Sequence, residues 1–180
     1  MTKRVFIMTF EEESIAYQAF SNLKKLQLKQ LVEIEQMAVV TNRGKDKLEM
    51  QDFLDFTGAD KTAKGSLIGV LVGILGGPIG ILLGWIGGTT IGATRDAKEI
   101  KTAVSVFEQT LDTICEGKTG IILIADVLGQ NDLRRSAEDK FGGSLLQLDY
   151  EIVMEEIEDA RETEKELEKE AKKRWFEKRK

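Results

Sequence analysis

The spacing of apolar positions along this chain changes several times, and each change marks an element. Val5, Phe6, Ile7, Met8 and Phe10 form a short run that predicts a buried strand. From residue 12 the period lengthens. Ile15, Ala16, Ala19, Phe20, Leu23 and Leu26 recur at three- and four-residue steps and predict a helix over 12–28 with one apolar face. LVEIEQMAVV, 31–40, is rich in β-formers and alternates imperfectly. Asn42-Arg43-Gly44 is a turn signal, after which KLEMQDFL returns as another strand. An uncharged stretch follows at 65–92. Beyond it, Ile100, Ala103, Val104, Phe107, Leu111 and Ile114 predict a helix over 96–116. GIILIADV, 120–127, is a continuous apolar run of the kind found in central strands. Asn131 or Asp132 is expected to cap a helix ending near Phe141. Gly142-Gly143 then turns the chain into SLLQLDY, a last strand.

One strand–helix–strand unit thus precedes the uncharged stretch and another follows it. Two such units commonly share one sheet, so the expected fold is α+β, a ferredoxin-like βαβ-type sandwich. Residues 1–58 and 96–150 are its two halves, 59–95 an inserted hairpin and 151–180 a charged C-terminal helix.

The inserted stretch, GSLIGVLVGILGGPIGILLGWIGGTTIG, has ten glycines among 28 residues and holds the only proline, Pro78. Gly65, Gly69, Gly73 and Gly77 are spaced by four, and so are Gly76, Gly80, Gly84, Gly88 and Gly92. On a helix each set lines one face and lets another backbone approach closely, as in a glycine zipper. A strand also puts i and i+4 on one face, but the length and leucine content favour helix. Each helical glycine costs roughly 1 kcal/mol relative to alanine. Ten cost on the order of 8–10 kcal/mol, comparable with the stability of a domain, so close packing on a partner must offset them. Gly76, Gly77 and Pro78 are the expected hairpin turn, since proline starts a helix more readily than it continues one. The arms 65–77 and 79–94 would be roughly 20 and 24 Å long, short of a hydrocarbon core of about 30 Å. Lys61 and Lys64 before the hairpin, with Arg95, Lys98 and Lys101 after it, suit two feet on the cytoplasmic side of a membrane. A soluble oligomer whose hairpins pack together fits the same pattern. A conducting pore does not, because the segment has no polar stripe beyond Thr89, Thr90 and Thr94.

A βα(β) N-terminal half, a GxxxGxxxG…GGPxG…GxxxG hairpin and a C-terminal IILIADV–helix–GG–strand together resemble the bacterial family grouped as domain of unknown function 1269. The resemblance covers about residues 3–150, and its most specific part is the glycine hairpin with GIILIADV behind it. It implies this fold and membrane association. It supplies no catalytic residue to carry over, and the tail after 150 is an addition to the family pattern.

Composition narrows the chemistry. The net charge of −5 gives no support to nucleic-acid binding. The chain has no histidine, which removes the commonest general base and metal ligand and any Ser–His–Asp triad. The lone Cys115 cannot form an internal disulfide, so a reducing compartment is the simpler expectation. Beside Ile114, late in a predicted helix, Cys115 reads as a small core residue. The start, MTKRVFIMTFEEE, reads as a strand rather than a signal peptide. Gly117-Lys118-Thr119 resembles the end of a phosphate loop but lacks its first glycine and sits between helix and strand in the wrong order; Gly117 is expected to cap a helix C-terminus. Glu11, Glu12 and Glu13 already suit a helix N-terminus. Asp126, at the end of the central strand, is the most site-like carboxylate, with no partner to name. No cofactor or metal site is expected.

Residues 151–180 carry 11 acidic and 9 basic side chains. Val153, Ile157, Ala160, Leu167 and Ala171 fall near a heptad, which allows a solvated helix or a short coiled coil. Glu168 with Lys172 and Glu170 with Arg174 are at i,i+4 spacing. The end, KKRWFEKRK, sets Trp175 and Phe176 beside Lys172, Lys173 and Arg174, a candidate contact with an anionic membrane surface or a plain helix end. The expected function is a non-enzymatic, membrane-associated interaction or scaffold protein that binds itself through the hairpin. The alternatives are a soluble homo-oligomer with a shared hairpin core, or a small-ligand-binding domain, which would need a polar pocket near Asp126.

Overall fold

The computed structural model describes residues 2–44, 47–59, 62–77 and 105–178. In chain order these form β1 (Lys3–Phe10), α1 (Glu13–Leu28), β2 (Ile34–Asn42), β3 (Leu48–Asp55), α2 (Leu67–Gly76), α3 (Val106–Thr113), β4 (Thr119–Asp126), α4 (Gln130–Arg134), β5 (Ser144–Asp149) and α5 (Tyr150–Glu177). The fold is α+β, built on a five-stranded antiparallel sheet of order β3-β2-β4-β1-β5. Both strand–helix–strand units share it, and GIILIADV lies at its centre.

Strand alternation divides the core in two. Phe6, Met8, Met37, Val39, Ile121 and Leu123 point to one face, where Ala16, Ala19, Phe20 and Leu23 of α1 and Leu133 of α4 cover them. Val5, Ile7, Val40, Ile122 and Ile124 point to the other, where α2, α3 and α5 lie. All eight residues of β4 are buried, because apolar side chains leave both of its faces. An antiparallel sheet often leaves one face to water. Here that would expose two rows of valine and isoleucine, so the sheet becomes the middle of three layers.

α2 supplies part of that third layer from inside the glycine-rich stretch. Ile68, Leu71, Val72, Ile74 and Leu75 are buried against the sheet. Its glycines, Gly69, Gly73 and Gly76, cost roughly 3 kcal/mol together. Burial returns about 1.5–3 kcal/mol for each large apolar side chain, so five of them outweigh the glycines. For the three glycines of this arm, packing on the chain's own sheet offsets the cost. The second arm, with Pro78, Gly80, Gly84, Gly88 and Gly92, lies outside the described residues, as do 96–104 of the predicted helix before α3.

Several local expectations are corrected. The helix after the glycine stretch ends at Thr113, not 116. The buried Asn42 side chain donates to the Ile114 carbonyl at 2.9 Å, which fixes the exit of the chain. Ile114 then enters the core and Cys115 faces solvent. Gly117 has φ +80 in the turn into β4, four residues past the helix, so it is not a helix cap. Neither Asn131 nor Asp132 caps α4. A 3-10 turn, Val127–Gly129, precedes that helix, and Asp126 caps it by accepting from the Leu128 amide at 2.8 Å. After α4 the chain continues through wide π-type turns to Lys140. The Glu168–Lys172 and Glu170–Arg174 pairs are not among the ion pairs of the described residues; such exposed pairs gain little on closing.

α1 ends on Gln30 at φ 57, with the Leu31 amide donating to the Leu26 carbonyl at 3.1 Å. This left-handed position penalises a side chain. Gln30→Gly is expected to raise stability by up to about 1 kcal/mol, read as a higher denaturation midpoint. A lower midpoint would show that the Gln30 side chain contributes more than the strain costs.

Candidate functional site

The predicted packing glycines separate into different positions once folded. Gly65 belongs to a 3-10 turn, Ala63–Gly65, and Gly77 is the extended C-cap of α2. Only Gly69 and Gly73 of that four-spaced set lie within the helix body, which corrects the continuous line over Gly65–Gly77. Gly76 is the last helical residue rather than part of the turn. Ser66 caps α2: its hydroxyl accepts from the Gly69 amide at 2.9 Å and donates to the Ala63 carbonyl at 2.7 Å. The 3-10 turn is thereby folded over Gly69, where a Cβ would overlap the Ala63 oxygen. At Gly76 a Cβ would stand 2.5 Å from the Leu48 carbonyl oxygen, so this glycine lets α2 meet β3 backbone to backbone. Gly73 is different. It is exposed, and nothing among the described residues lies within 4 Å of the place a Cβ would take.

Between this glycine strip and β3, an edge strand, runs a groove of about 630 Å³. Met50 and Phe53 from β3 and Val72 from α2 give it apolar walls; Gly69 and Gly73 form its flat side. Glu49 and Asp52 on β3 and Lys64 before α2 also border it.

The second candidate surface is the free end of α5. Asp149 starts this helix, accepting from the Glu151 amide at 3.0 Å and pairing with Arg4 at 2.7 Å. Val153, Ile157 and Ala160 anchor it to the body. Beyond them, Leu167 is exposed and Ala171 too, so the predicted heptad packs only through its first half. Lys172, Lys173 and Arg174 are exposed. Trp175 and Phe176, 51% and 64% exposed, stack edge to face with ring centres 5.1 Å apart.

Two ion pairs elsewhere shift groups that they join. Lys3 meets Glu35 at 2.7 Å, and this hydrogen bond holds the lysine above its ordinary range. Glu11 meets Lys118 at 2.7 Å on the surface, which lowers the carboxyl and raises the amine. Glu156 on α5 is the exception. Burial pushes its carboxyl up, against the hydrogen bond it accepts from the Val106 amide at 2.8 Å, and Asp159, Glu155 and Glu108 push it further. The described residues contain no group of three or more Cys, Asp or Glu placed to hold a metal. No helix among them is long and apolar enough to cross a membrane.

No protein-family model, curated protein or solved structure matches this chain. The β3–α2 groove could not be read from the sequence, because it depends on α2 folding back onto its own sheet. The role of Glu156 was hidden likewise, among eleven acidic residues of the tail.

Proposed function

We propose that this chain is a non-enzymatic interaction protein that associates with copies of itself through the glycine strip of α2 and the neighbouring edge of β3. The observation that carries this reading is Gly73: an exposed helical glycine, costly in water, with nothing among the described residues where a side chain would sit. Gly69 and Gly73 beside an apolar groove let a second backbone approach closely. A second four-spaced set, Gly76, Gly80, Gly84, Gly88 and Gly92, follows in the sequence and offers further close-packing positions. The absence of histidine from the chain supports a role without acid–base catalysis.

A ferredoxin-like architecture is supported by the order β5-β1-β4-β2. Within it β4 lies between β1 and β2, and β1 lies between β4 and β5, with β3 added at the edge. The same arrangement around a glycine-rich insertion supports the resemblance to the domain of unknown function 1269 family. Attachment to the cytoplasmic face of a membrane is the second part of the proposal. It is supported by Lys172, Lys173 and Arg174 with exposed Trp175 and Phe176 at the end of α5. The first arm of the predicted hairpin already buries its large apolar side chains on the sheet, which favours surface contact over insertion for that arm.

Gly73→Leu is the direct test. The side chain meets none of the described residues, so thermal stability should hold or rise while the self-associated mass, by light scattering, falls to that of one chain. An unchanged oligomer, or a wild-type protein that is monomeric at all concentrations, would remove the self-association reading. Flotation with phosphatidylserine vesicles, against phosphatidylcholine alone, tests the membrane part.

A further inference from the structure

We infer that the outer half of α5 pairs antiparallel with α5 of a second copy, the two helices crossing at Ala171. The inference rests on the self-association proposed above and adds a second contact to it. The stripe that seats α5 on the body does not stop where the body does. Val153, Ile157 and Ala160 are buried. Glu164, Leu167, Ala171, Trp175 and Lys178 continue the same three- and four-residue steps. Leu167 is 44% exposed, Trp175 is 51% exposed, and Ala171 is exposed as well. The stripe therefore runs roughly 27 Å beyond its last anchored residue.

The order of residues along this stripe selects the occupant. Leu167 and Trp175 stand four residues before and after Ala171, and Glu164 and Lys178 stand seven before and after it. An antiparallel copy turned about Ala171 sets Leu167 against the partner's Trp175 and Glu164 against the partner's Lys178. The small residue at the crossing lets the helices approach closely. The flanks match as well. On one side Glu168 comes beside the partner's Lys172, and on the other Glu170 beside the partner's Arg174; the two-fold makes each contact twice. Neither Glu168 with Lys172 nor Glu170 with Arg174 is an ion pair within one helix among the described residues, so their charges remain for a partner. A parallel copy would set the glutamates of 162–170 against their own copies, and Lys172 and Arg174 against theirs. Lys173 and Phe176 fall on the opposite face of α5 and are left for the membrane contact. The overlap of roughly 15 residues is short of a standard stable interface, so the pairing adds to the β3–α2 contact and does not replace it.

The test uses the full chain with the exposed cysteine removed, Cys115→Ser, and a new one placed at the crossing, Ala171→Cys. It is equilibrated in glutathione buffer at a concentration where light scattering shows the wild type self-associated. A disulfide between copies at position 171 is expected, because residues on the two-fold are neighbours. Leu167→Cys in place of Ala171→Cys should link about tenfold less, since antiparallel copies hold their two 167 positions roughly 12 Å apart along the helices. Glu168→Lys, or separately Lys172→Glu, added to the Ala171→Cys chain should cut its linkage several-fold. An equimolar mixture of those two chains should restore it as a mixed disulfide, identified by mass. Mixing leaves the like charges within each helix unchanged, so helix stability does not account for the recovery. An associated protein with no linkage at 171, equal linkage at 167, or no recovery on mixing overturns the pairing and leaves the glycine strip standing. A wild-type chain that is monomeric at every concentration overturns both.

Discussion

Gly69→Ala should destabilise the fold by at least about 3 kcal/mol, lowering the melting temperature by roughly 6–12 °C. By helix propensity alone the same change would stabilise by about 1 kcal/mol. The sign reverses because the methyl group would occupy the position of the Ala63 carbonyl oxygen. That oxygen is fixed: it accepts from the Ser66 hydroxyl at 2.7 Å and from the Ser66 amide at 3.2 Å. Moving it disrupts the cap of α2, whose own acceptor contact is to the Gly69 amide. The strain therefore spreads through the whole N-terminal turn. Gly73→Ala is the internal control, four residues on, with nothing among the described residues within 4 Å, and should gain about 1 kcal/mol. Thermal melts of the two variants beside wild type decide it. Equal melting temperatures would mean that the Ala63–Gly65 turn does not pack on α2.

That pair of variants also marks how far the sequence could be read. α1 and β1 to β5 fall within a few residues of their expected positions, because a 3.6-residue period and bounded apolar runs reflect local geometry. The destination of residues 65–77 was not legible in the same way. Apolar burial has no direction, so lipid, a second copy and the chain's own sheet satisfy Ile68, Leu71 and Leu75 equally well. The decisive clue lay elsewhere, in β4. A strand apolar on both faces needs two covers, and α1 and α4 supply only one. Residues 105–113 and the start of α5 are too few to cover the second face alone, and α2 completes it.

The candidate sites divide similarly. Asp126 stood out as a carboxylate at a strand end. Its role as the cap of the Val127–Gly129 turn depends on a backbone path that composition does not show. Cys115 was misplaced because one distant side chain, Asn42, sets where α3 stops. Asn42 is 1% exposed and uses its amide nitrogen, side-chain oxygen and backbone to bind Ile114, Gly44, Gly117 and Lys118. No helix period encodes that tertiary contact. At the basic end of α5, Trp175 and Phe176 are 51% and 64% exposed and stack on each other.

The third layer depends on Glu156, and its substitution should have the second largest effect. Its carboxylate accepts from the amide of Val106, the first residue of α3, and Val106 is 2% exposed. Glu156→Ala leaves that amide buried without a partner and should cost about 1–3 kcal/mol. Glu156→Gln keeps an acceptor oxygen and removes a charge that stands near Glu155, Asp159 and Glu108. At neutral pH it should be at least as stable as wild type. The pH dependence has a definite sign. Burial raises the folded-state pKa of Glu156 above its unfolded value, so the native state holds the proton more tightly. Its contribution is most favourable below the unfolded value and is lost as pH rises through the raised one. Acidification from neutrality should therefore first stabilise the wild type, just above the ordinary carboxylate range. Depressed carboxyls such as Glu11 act in the opposite direction at lower pH. Glu156→Gln should lack that first rise. Chemical denaturation of both proteins across this pH window measures it, and identical pH profiles would show that Glu156 is not the group responsible.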